Sequence, residues 1–184
     1  FNGEAHTLNF AGCTLLGNSA ANGAVAYFAS ATKYGTQTIT ATDTLFETNT
    51  ASTSGGVFYL ESSTAGQHVS FLNCTFHHNK ANNDGGAIYM YSASTVSGQT
   101  VNVTQSEIHF NTTPLPSPTG NGGFLSLQAE QSVPTQEVTL TQVNMTDNTV
   151  DKAGGVLHVV GASSQTVKMD NVYARNNHAD NGGV

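Results

Sequence analysis

The stretch Cys74-Thr75-Phe76-His77-His78-Asn79-Lys80-Ala81-Asn82-Asn83-Asp84-Gly85-Gly86-Ala87-Ile88-Tyr89-Met90 decides the fold. It joins a Phe-x-x-Asn element to a Gly-Gly-apolar element, and variants of both recur along the chain. The first returns as Leu15-Leu16-Gly17-Asn18, Phe46-Glu47-Thr48-Asn49, Ile108-His109-Phe110-Asn111, Met145-Thr146-Asp147-Asn148 and Tyr173-Ala174-Arg175-Asn176. Counting Asn79 in its place, successive asparagines stand 31, 30, 32, 37 and 28 residues apart. After each comes the second element: Gly23-Ala24, Gly55-Gly56-Val57, Gly85-Gly86-Ala87, Gly122-Gly123-Phe124, Gly154-Gly155-Val156 and Gly182-Gly183-Val184. Self-similarity at such a period is the mark of stacked-repeat architectures.

A third element precedes each asparagine as an alternating apolar pair: Leu8/Phe10, Ile39/Ala41, Val69/Phe71, Val101/Val103, Val138/Leu140 and Val167/Met169. Two residues before it stands a glutamine in five copies (Gln37, Gln67, Gln99, Gln136, Gln165), with His6 in the first. Period-2 alternation, β-branched and aromatic enrichment and turns rich in Gly, Ser, Asn and Thr predict strands, three short ones per repeat. Three such strands cannot bury an apolar face alone, so neighbouring repeats must stack. The fold expected is therefore an all-β parallel β-helix, a solenoid of about six coils of roughly 30 residues. Equivalent residues then lie ~4.8 Å apart in adjacent coils. Leu15, Phe46, Phe76, Ile108, Met145 and Tyr173 become one apolar column, and Val25, Phe58, Ile88, Leu125 and Leu157 another. Asn18, Asn49, Asn79, Asn111, Asn148 and Asn176 become a hydrogen-bonded ladder at a corner. The Gly-Gly pair supplies a second corner, where a side chain would collide or force an unfavourable φ.

Composition agrees with a packed, uncharged-cored chain. Hydrophobic residues make up 38%, charged residues only 9%, and the net charge of −7 is modest for 184 residues. The five basic residues, Lys33, Lys80, Lys152, Lys168 and Arg175, are scattered singly, which argues against nucleic acid as a partner. No apolar run approaches the ~20 residues of a membrane-spanning helix, so membrane insertion by this segment is not expected.

Copies differ chiefly in their turns. Residues 112–121, with three prolines, should project as a loop, and 129–135 enlarge another turn. Neither end shows a cap, so residues 1–184 are expected to be one β-helix segment of a longer chain, stacking on neighbouring repeats.

The paired motifs resemble the polymorphic outer membrane protein repeat of chlamydiae, defined by Phe-x-x-Asn and Gly-Gly-Ala-(Ile/Leu/Val) tetrapeptides. Phe76-His77-His78-Asn79 and Gly85-Gly86-Ala87-Ile88 carry the likeness most fully, while other copies substitute Leu15, Ile108, Met145 or Tyr173 for Phe. The resemblance implies a right-handed parallel β-helix in an extracellular or cell-surface protein with a structural or adhesive role. The partner implied is a cell-surface protein or glycan, or the chain itself through assembly into a filament. Parallel β-helices also include pectate-lyase-like carbohydrate-active enzymes, which keeps a catalytic or carbohydrate-binding alternative in view.

No carboxylate set of the catalytic kind stands out, and neither catalytic residues nor a resident cofactor are expected. Glu47, His77 and His109 fall on the same outward position of consecutive coils, a row of potential transition-metal ligands, though a straight column suits tetrahedral coordination badly. Asp151 and Asp180 fall on equivalent turns of neighbouring coils, where Ca²⁺ is the cation that paired carboxylates would take. Asn73, Asn102 and Asn144 begin Asn-x-Thr acceptor patterns for N-glycosylation. Cys13 and Cys74 each precede a ladder asparagine by five residues, with Thr44 between them in the stack. At ~9.6 Å apart they cannot form a disulfide and should be two free, buried thiols.

Overall fold

Strands of three to seven residues with alternating burial can only pair sideways, and here each pairs with its own equivalent one repeat away. The computed structural model describes residues 5–30, 35–95, 97–114 and 120–184. The described residues form a parallel β-solenoid of about five turns, and no helix is long and apolar enough to cross a membrane. The first sheet stacks His6–Ala11, Thr36–Thr42, Gly66–Leu72, Gln99–Thr104, Gln136–Thr141 and Gln165–Asp170. The second stacks Thr14–Leu16, Leu45–Glu47, Thr75–His77, Glu107–His109, Asn144–Thr146 and Tyr173–Arg175. The third has five strands: Ala26–Ser30, Phe58–Ser62, Ile88–Ser92, Leu125–Ala129 and Leu157–Val160. Between the second and third runs a short ladder of Ser19–Ala20, Thr50–Ala51 and Lys80–Ala81, continued by single pairings through Thr112, Thr149 and His178.

Inward positions of the three sheets meet in one core. Phe46 and Phe76 are fully buried and stack at 4.7 Å, Phe58 packs edge-on against Phe46 at 5.1 Å, and Phe124 does the same against Phe76 at 5.0 Å. Each buried phenylalanine contributes about 1.5–3 kcal/mol through area removed from water.

Three left-handed corners per coil turn the chain. The glycine corner divides its two constraints between its two residues. Gly85 has φ +64°, and a Cβ there would be driven into the Ile88 carbonyl of its own coil. Gly86 has no unusual φ, but its Cβ would overlap the Gly123 carbonyl of the next coil. In this second column the amides of Gly56, Gly86, Gly123 and Gly155 donate to glycine carbonyls one coil on, at 2.9–3.2 Å. Ala24 occupies the column in the first coil, and there, among the described residues, the equivalent bond is missing. The other two corners use ordinary residues at φ 49–57°: Asp43, Asn73, Gln105, Gln142 and Asn171 in one column, Thr48, His78, Phe110, Asp147 and Asn176 in the other.

The structure corrects several registers. In the last coil Met145 pairs with Ala174, not Tyr173, and Asn148 bonds to Asn177, not Asn176. Val167, Met169 and Val172 continue the inward columns of the coil before, which forces the doubled asparagine to offer its second member inward. Tyr173 consequently sits beside Asn144, 56% exposed, and Asn176 takes the corner at φ 54°. In the first coil Ala26, not Val25, pairs with Phe58, because Val25 matches Val57. Residues 112–121 do not project from end to end: Thr112 pairs with Lys80 and Thr149, Thr113 is buried, and Asn121 pairs with Ala153. The proline-rich centre, 115–119, lies outside the described residues. Cys74 is buried but Cys13 only half-buried, and both are free.

Candidate functional site

A polar residue on a solenoid serves either the stack or a ligand, so the inter-coil hydrogen bonds come first. Asn18, Asn49, Asn79, Asn111, Asn148 and Asn177 form one ladder, each side-chain amide donating to the Oδ1 of the next coil's asparagine at 2.8–3.1 Å. The second amide hydrogen of the buried members goes to a carbonyl of the preceding coil, as from Asn79 to Phe46 O at 2.9 Å. Burial without such partners would cost about 1–3 kcal/mol per group. The recurrent glutamines form a second ladder that sequence reading noted as a pattern without assigning it a bond. Gln67 donates to Gln37, Gln99 to Gln67, Gln136 to Gln99 and Gln165 to Gln136, at 2.7–3.0 Å. Asp84 belongs to a third set: its Oδ1 accepts from the backbone N and Nδ2 of Asn121 at 3.1 and 2.9 Å.

Outward positions are what remains for recognition. Glu47, His77 and His109 are in register on the second sheet. Only two of them meet: His77 Nδ1 lies 3.2 Å from Glu47 Oε1, whereas His109 turns to Thr146 Oγ1 at 2.7 Å and Glu107 at 3.4 Å. His78, at the adjoining corner, stacks on Phe110 at 4.8 Å with the rings 8° apart. Asp151 and Asp180 fall between the pairings Thr149–His178 and Ala153–Asn181, in the same turn of adjacent coils. No group of three His, Cys, Asp or Glu side chains converges on a metal-sized point among the described residues.

The acceptor asparagines are placed unequally. Asn102 is exposed in a regular strand, Asn73 sits at a left-handed corner donating to Asp43 Oδ1 at 2.6 Å, and Asn144 is half-buried with its Oδ1 enclosed and unpaired. Burial pushes the Cys74 thiol above its ordinary range, which disfavours the reactive thiolate.

Sequence reading missed the outward face of the third sheet. Tyr27, Tyr59 and Tyr89 are in register and stack at 5.1 and 5.0 Å. Tyr59 donates to Glu61 Oε2 and Tyr91 to Glu130 Oε1, both at 3.0 Å. Burial raises the Tyr59 and Tyr89 phenols far above the ordinary tyrosine range, with Glu61 adding to the shift at Tyr59 and Asp84 to that at Tyr89. His158, in the same column, is pushed down by burial and pulled partly back by Asp84. The signal was available: three tyrosines, each one place after an apolar member of the repeat, separated by one period.

With this geometry in place, comparison with known families decides one point. Residues 73–91 match the family model for the Chlamydia polymorphic membrane protein (Chlamydia_PMP) repeat. That stretch holds the Asn79 ladder residue, the Gly85-Gly86 corner and Tyr89. The repeat is one of outer-membrane, surface-associated proteins and not of an enzyme family. Neither curated proteins nor solved structures yield a significant match to the chain.

Proposed function

We propose that this chain is a rigid scaffold segment of a cell-surface protein, adhesive through outward strand positions and turns and not catalytic. The observation that carries the reading is the use of the repeat's own polar residues: Asn79 and Gly85-Gly86, the marks of the matched stretch, are consumed by contacts between coils. Contacts with a partner are then left to residues that vary from coil to coil. Incubation with a panel of plant and microbial polysaccharides, with and without Ca²⁺, tests it. The expected outcome is retention of the segment on cell surfaces or immobilised partners with no release of reducing ends. Reproducible, segment-dependent cleavage would make it a pectate-lyase-like enzyme instead.

A further inference from the structure

The third sheet's outward face is chemically unlike the rest of the surface. On two neighbouring coils Tyr59 pairs with Tyr89 and Glu61 with Tyr91, so four side chains form a square, with Glu130 reaching its edge through Tyr91. Tyr27 extends the column and is 52% exposed, where an unliganded strand face is ordinarily filled by threonine or serine. No Lys or Arg stands in any of the five strands of this sheet. Stacked on one another, the inner rings cover each other's faces and turn edges and hydroxyls outward, which does not suit the flat stacking of a sugar ring. What the face does present is carboxylates anchored by phenols, beside aromatic rings, in a field lacking a compensating cation. That combination attracts a guanidinium or ammonium group, which adds charge-assisted hydrogen bonds to the carboxylates and cation–π contact with the rings.

We propose that this face is the docking surface for an arginine- or lysine-rich segment of a partner protein, centred on Tyr59, Glu61, Tyr89, Tyr91 and Glu130. Charge complementarity selects the occupant: a basic strand lying along the solenoid axis meets Glu61 and Glu130 in turn and no like charge in these strands. The proposal deepens the scaffold reading by naming what the scaffold holds. It fails separately from it, since polysaccharide cleavage would end the scaffold reading and leave the peptide titration as it was.

The test is fluorescence anisotropy of a labelled hexa-arginine peptide against the whole segment at physiological salt, where long-range attraction is screened beyond about 8 Å. Glu61→Gln with Glu130→Gln should weaken binding about tenfold, as expected of a buried charged contact. The charge-matched pair Asp170→Asn with Asp180→Asn, on the exposed last coil, should weaken it less than about twofold. In the unmodified segment, peptide-induced changes in ring resonances should be confined to Tyr27, Tyr59, Tyr89 and Tyr91, a readout that needs no variant to fold. Equal loss from both charge pairs, ring changes scattered over the molecule, or binding of a neutral oligosaccharide in place of the peptide would each overturn the proposal.

Discussion

At Asn79 both amide hydrogens and the carbonyl oxygen are fully used. Its Nδ2 donates to Phe46 O and Asn111 Oδ1, and its Oδ1 accepts from the backbone N and Nδ2 of Asn49. Asn79→Ala strands two buried donors of Asn49, and guanidinium unfolding should show a loss of about 3 kcal/mol. The same measurement separates the doubled pair in the last coil. Asn177→Ala should cost about 2 kcal/mol, while Asn176→Gly, at an exposed left-handed corner, should change stability by less than about 0.5 kcal/mol. A single asparagine per copy is readable from the chain, but Asn176-Asn177 offers two, and only the apolar positions on either side say which points inward. Thr48 is the opposite case, a β-branched residue at φ 53° where nothing in its sequence announces a corner. Thr48→Gly should relieve that strain and raise stability by about 0.5–1 kcal/mol, seen as a higher unfolding midpoint.

At the scale of one strand or corner, the distance between coils becomes the controlling quantity. Gly86→Ala should lower stability by more than about 3 kcal/mol, because its Cβ meets backbone of the next coil, Gly123 O and Thr112 N, which cannot rotate away. Ala24 shows the milder outcome available in the first coil, where the bond is lost and the chain still stacks. The Gly-Gly corner was legible because glycine is unusual enough to mark its own place. The other two corners were not, since Asp, Asn, Gln, Thr, His and Phe occupy them with no common side-chain chemistry. The tyrosine column has a consequence of its own in alkali. Folded Tyr59 and Tyr89 hold their protons above the ordinary range of about 10, whereas the unfolded chain releases them there. The unfolded state therefore binds fewer protons, and stability should fall as pH rises past 10. Phenolate absorbance should appear late and together with unfolding, and Tyr59→Phe should flatten the pH dependence.

For the whole molecule, stability is a sum over coils and the faces between them. Removing residues 50–79 takes out one coil and joins Asn49 to Lys80, a junction equivalent to the natural Asn79-Lys80. The shortened chain should keep its parallel-sheet circular dichroism, with the denaturant slope reduced by about a fifth in proportion to the surface lost. Removing residues 50–64 takes out only half a coil and should abolish folding, because every later strand would face the wrong sheet. The architecture was legible because its period is carried by six copies, each correcting the ambiguities of the others. The outward chemistry was not, because it appears in only two or three coils, and no period averages it into view. One further property follows from the two amide ladders. The asparagines hand their hydrogens forward along the chain, from Asn18 toward Asn177, while the glutamines hand theirs back, from Gln165 toward Gln37. The electric moments of the two rows oppose one another along the axis. Coils can therefore be added at either end without the two rows building up a common axial polarity, as rows of one sense would.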